Sequence, residues 1–136
     1  LLGDLGQLTA VGETAQRVAA AKLNLTFGEA FIRGILCNIL VILAILMAAM
    51  AKDTISKILC IMLPIMTFVA CGFEHCIANM YLITLGLLAE GTSFTGFFQI
   101  FSNLIPVTLG NIVGGLFILL IHPNRIRQLK KLYSGK

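Results

Sequence analysis

Polar and apolar residues alternate in long blocks along this chain, and the blocks set its organisation. Residues 34–51 carry no charge, and residues 26–33 extend the same run towards the N-terminus. A helix over residues 26–51, rising about 1.5 Å per residue, is long enough to cross a hydrocarbon core of about 30 Å. Thr26 stands at the cap position with Glu29 three residues on, the pairing that closes a helix N-terminus. Asn38 is the main polar intruder in this span. Lys52-Asp53-Thr54-Ile55-Ser56-Lys57 makes a polar turn, and its Asp53 is placed to cap the following helix. A last apolar block covers residues 96–122 and contains Pro106, Asn111 and the spacing Gly110-x-x-x-Gly114, with Gly115 adjacent. Small residues so spaced let helix backbones approach closely in lipid.

The middle block, residues 53–89, behaves differently. Between Lys57 and Glu90 the only ionisable groups, thiols and Tyr81 aside, are Glu74 and His75. A straight helix over that distance would measure about 48 Å, too long for one ordinary crossing and too short for two with a turn. Pro64 and Cys71-Gly72 precede the ionisable pair. The pattern predicts one crossing made of two half-helices, interrupted near residues 67–73. Irregular backbone survives at membrane depth only where protein or a water-filled cavity satisfies its polar groups, and broken spans mark binding sites in transporters.

Composition supports the membrane reading. The chain has 136 residues, 58% of them hydrophobic and 12% charged. A soluble domain is about 45–50% apolar and about 25% charged, and a disordered chain is less apolar still. Residues 1–25 are mixed, with a short amphipathic helix expected over residues 15–22. The formal net charge is +4. Residues 123–136 hold Arg125, Arg127, Lys130, Lys131 and Lys136 without an acidic partner, which fits a cytoplasmic tail beside anionic lipid better than contact with nucleic acid. With that tail inside, the 52–57 turn is also inside and residues 1–25 form an extracytoplasmic connector. The chain opens at Leu1 without Met, and an odd number of upstream spans is expected to precede it.

His75 is the sharpest chemical signal. An ionisable group in an apolar run beside a helix break commonly lines a pathway. Glu74, its neighbour, would face another side of a helix and needs a buried cation or donors; Lys22 and Asn38 are the expected partners. Asn111 reads either as a donor to a pore or as a bond between helices. Phe68 and Val41, taken alone, are ordinary core residues. Cys71, His75 and Cys76 are metal-ligating types and support an alternative: a membrane-embedded redox or metal-binding subunit. Their spacing matches no recognised ligand motif, and the four cysteines form no CxxC pair. No metal or other cofactor is expected, and the chain does not read as an enzyme.

Three ordered stretches resemble the formate/nitrite transporter family: Arg33-Gly34-Ile35-Leu36-Cys37-Asn38, Gly72-Phe73-Glu74-His75-Cys76-Ile77-Ala78-Asn79-Met80, and residues 103–115 from Asn103-Leu104-Ile105-Pro106 to Gly114-Gly115. The resemblance implies an all-α integral membrane protein with an aquaporin-like helical bundle of six spans, assembled as a homopentamer with one pore per protomer. This chain would be its second half: a fourth span at residues 26–51, a broken fifth span at 53–89 and a sixth at 96–122. The implied activity is passage of a small monovalent anion, formate, nitrite or hydrosulfide, through the inner membrane of a bacterium. In that frame His75 matches the central pore histidine. Phe68 and Val41 match a hydrophobic constriction on its outer side, and Asn111 matches a polar pore residue. Lys22, Asn38 and Glu74 match a buried polar network near the pore. The missing N-terminal half and membrane lipid are the implied partners.

Overall fold

The computed structural model describes residues 9–121. Five helices follow one another: α1 (Ala10–Leu23), α2 (Phe27–Met50), α3 (Thr54–Ala70), α4 (Cys76–Glu90) and α5 (Ile100–Ile121), the last entered through a 3-10 turn at Gly96–Gln99. The leading residues and the basic tail of the sequence reading lie outside the described residues. Helix α1 is longer than the expected 15–22 segment. Thr9 caps it by accepting the Gly12 N–H at 3.4 Å, so Gly12 and Glu13 fall inside the first turn rather than before it.

The expected caps are present. Thr26 and Glu29 form a reciprocal capping box at the start of α2. Asp53 Oδ1 accepts the Ser56 N–H at 2.8 Å and starts α3. Two helices, Phe27–Met50 and Gly96–Ile121, are each long and apolar enough to cross a membrane alone. Helices α3 and α4 are shorter, as half-crossings should be.

The core is a seam between helices, without a thick apolar centre. Helix α2 packs along α5, α1 crosses α4, and α3 leans on α2. The α2–α5 contact is close because Gly110 and Gly114 face the α2 backbone. A methyl group on Gly110 would overlap the Phe31 carbonyl oxygen, and one on Gly114 would overlap that of Ile35. Elsewhere large apolar side chains face outward. In α3 only Pro64 is buried, while Ile55, Leu63, Met66 and Val69 are more than half exposed. A soluble monomer does not leave apolar surface of this extent uncovered.

Candidate functional site

The site grows from the gap between α3 and α4, which the structure places at residues 71–75, later than the expected 67–73. Pro64 is tolerated inside α3, and Thr67 stays helical with its hydroxyl donating to the Leu63 carbonyl at 2.8 Å. The helix ends where glycine allows it to. Gly72 adopts φ +65°. Its N–H donates to the Val69 carbonyl at 3.1 Å, and the Phe73 N–H reaches back to the Phe68 carbonyl at 2.9 Å. This paired closure, with a left-handed glycine just past the cap, terminates a helix while satisfying its last carbonyls.

The remaining polar groups of the gap are held by the long helices. Glu74 N–H donates to the Arg33 carbonyl of α2 at 3.3 Å, and Arg33 Nη1 approaches the Gly72 carbonyl at 3.5 Å. Asn111 of α5 does most of the rest. Its Nδ2 donates to the carbonyls of Gly34 at 2.8 Å and Glu74 at 2.9 Å, while its Oδ1 accepts the Cys76 N–H at 3.0 Å. Asn111 thus grips the backbone on both sides of His75. Its N–H groups are engaged with protein, which makes it a clamp on the break rather than a free donor. Asn38 donates to the backbone carbonyl of Asn111. It therefore supports the clamp from α2 and is not the partner of Glu74 that the sequence reading expected.

Glu74 and His75 face different surroundings, as anticipated, though for another reason. Neither lies within a helix; the backbone at His75 is extended, with φ −113° and ψ 118°, and extended backbone turns successive side chains to opposite sides. Glu74 is 3% exposed. Its Oε1 pairs with Lys22 Nζ at 2.9 Å. Its Oε2 accepts from the amide of Asn79 and, at 3.4 Å, from that of Asn103. Asn103 also donates to the Lys22 carbonyl at 2.9 Å and accepts from Asn79 at 2.8 Å. Asn79 and Asn103 were missed as members of this network. Both interrupt apolar stretches, the same signal that singled out Asn38 and Asn111.

His75 is half-buried and caps α4, its Nδ1 accepting the Ala78 N–H at 3.4 Å. Phe68 lies against the imidazole, with ring centroids 6.0 Å apart and planes inclined by 22°. Val41 lines an apolar cleft of about 290 Å³ between α2 and α3 with Ala44, Ile45, Ala48, Ile61 and Ile65. Both Phe68 and Val41 stand on the side of the break that leads to the 52–57 turn. Phe68 is the one set against His75, whereas the Val41 cleft lies further along α2 and α3 and includes neither ring. Among the described residues no three His, Cys, Asp or Glu side chains gather as metal ligands, so Cys71, His75 and Cys76 form no such set.

The formate/nitrite transporter profile matches residues 1–123. The chain belongs to the formate/nitrite transporter family. Among its relatives in that family, a probable formate transporter of Methanothermobacter thermautotrophicus is 50% identical over 103 residues, which are 74% of this chain and 37% of the relative. Formate channel FocA of Haemophilus influenzae is 42% identical over 121 residues, 76% of this chain and 43% of that protein. A solved pentameric formate channel with formate bound superposes with a TM-score of 0.70 at 35% identity, covering 93% of this chain and 53% of its own. The chain therefore spans about half the length of the family members it matches, and its all-helical fold is that of the corresponding part of a family channel. These relatives are named as transporters and channels, not as enzymes.

Proposed function

We propose that this chain is the second half of a protomer in a homopentameric channel that passes small monovalent anions, with formate, nitrite and hydrosulfide as the substrate set. The observation that carries the reading is the interrupted crossing: five residues of non-helical backbone, closed onto α3 at Gly72 and Phe73 and held by Arg33 of α2 and Asn111 of α5, set a half-buried imidazole against Phe68. A small anion loses much of its hydration in an apolar passage, at a cost of several kcal/mol per ion. Donors and positive potential at the narrow point replace part of that hydration. His75 supplies a donor and the N-terminus of α4 adds its dipole. Lys22, although paired with Glu74, keeps a cation close to the break. Phe68 and Val41 make the passage apolar, so hydrated cations are excluded. The exposed faces of α3 and α5 meet lipid, neighbouring protomers and the first half of the same protein. The membrane is the bacterial inner membrane, with residues 123–136 against its anionic cytoplasmic leaflet.

Flux of formate, nitrite and hydrosulfide into proteoliposomes holding the full-length protein tests this reading. Saturable, mutually competing flux of the three anions is expected, and absence of flux for all three sinks it. If His75→Asn leaves both flux and its pH dependence unchanged, the imidazole has no part in permeation.

A further inference from the structure

We infer that α4 locks the His75 ring in the tautomer that carries its proton on Nε2, so that the ring presents one directed N–H donor. That this donor serves a permeating anion rests on the channel reading; the tautomer rests on geometry alone. His75 is the N-cap of α4, and the Ala78 N–H donates to its Nδ1 at 3.4 Å. A ring nitrogen accepts only through a bare lone pair, and a neutral imidazole then holds its proton on the other nitrogen. A proton on Nδ1 would face the Ala78 N–H donor to donor. Cys76 N–H is engaged with Asn111 Oδ1 at 3.0 Å and Asn79 N–H with the His75 carbonyl at 2.9 Å, and Ala78 N–H is the first-turn donor that reaches the ring. Phe68, nearly parallel to the imidazole at 22°, holds its plane. The two N–H groups of Asn111 are spent on the carbonyls of Gly34 and Glu74. The Nε2–H of His75 is thereby a donor that the backbone of the break does not use.

The substitutions Asn and Gln separate the two ring nitrogens. Asparagine is a strong N-cap and reproduces the acceptor at Nδ1, whereas glutamine reaches the position of Nε2 but caps poorly. The full-length channel is labelled with 15N-histidine in lipid bilayers, and solid-state spectra of wild type and His75→Asn are subtracted to isolate the His75 signals. The expected difference spectrum has a protonated Nε2 and a bare Nδ1. His75→Asn keeps the wild-type thermal midpoint while its anion flux falls roughly tenfold, the loss of one hydrogen bond to a charged group. His75→Gln has the lower midpoint. A proton on Nδ1, protons on both nitrogens, or equal loss of thermal stability in the two variants overturns the inference. An Nε2–H signal in a full-length protein that passes no anion sinks the channel reading and leaves the tautomer standing.

Discussion

At the level of single residues, Glu74 shows how a buried charge is made tolerable. Its carboxylate meets Lys22, Asn79 and Asn103, so no lone pair faces hydrocarbon without a donor nearby. Replacing it with leucine strands the ammonium and two amides. Glu74→Leu is expected to destabilise the full-length protein by about 3–5 kcal/mol, read as a fall in its thermal midpoint in detergent. Adding Lys22→Met to that variant should recover part of the loss, because removing both charges costs less than stranding one. Phe68 plays the opposite part: its removal opens the apolar slot beside His75. Phe68→Ala is expected to raise flux or blur discrimination between formate and larger carboxylates in proteoliposomes, and an unaltered selectivity series removes Phe68 from the constriction. The ionisable pair was legible in the sequence because charge is rare in such a run. The Asn38 partnership was not, since an amide in an apolar helix announces a bond without saying to whom.

The helices are bounded by local chemistry, which is why their ends could largely be read in advance. Thr26, Glu29 and Asp53 are capping types in capping places, and each does what its position predicts. The pattern sets the end of α3 early because it weighs Pro64 together with Cys71-Gly72, yet a proline inside a helix removes one bond while a left-handed glycine ends the helix outright. Gly72→Ala should therefore cost about 1–2 kcal/mol through its positive φ, measured again by thermal unfolding, with Gly28→Ala as a control in open space. The Asp53 cap also carries a pH signature. Hydrogen bonds from the Ser56 backbone N–H and then its hydroxyl hold the Asp53 carboxyl below its ordinary value. A depressed folded-state value means that the cap stabilises above the unfolded aspartate pKa and fades as pH falls through the folded one. Asp53→Asn, which keeps an acceptor at every pH, should flatten the acid limb of the protein's thermal stability against pH; an unchanged limb would show that Asp53 contributes nothing there.

Over the whole molecule, the long helices hold the short ones. Helices α2 and α5 meet through glycine, and from that seam Arg33 and Asn111 reach into the gap between α3 and α4. Gly110→Leu is expected to push α5 off α2, withdraw the Asn111 clamp and abolish recovery of the assembled protein on size exclusion, whereas Ile112→Leu on an exposed face leaves it intact. The broad plan, two full crossings around a broken one, was legible because block length and charge report it directly. Which residues tie down the gap was not, because hydropathy names no hydrogen-bond partner until the backbone is threaded. One feature of this arrangement bears on how the protein is made. The segment that holds the gap comes after it in the chain: Asn111 leaves the ribosome 35 residues behind Cys76. During synthesis the two half-crossings must wait, unsecured, until the final hydrophobic stretch has entered the bilayer, and a nascent chain that stops short of it would leave them open to the quality-control proteases of the membrane.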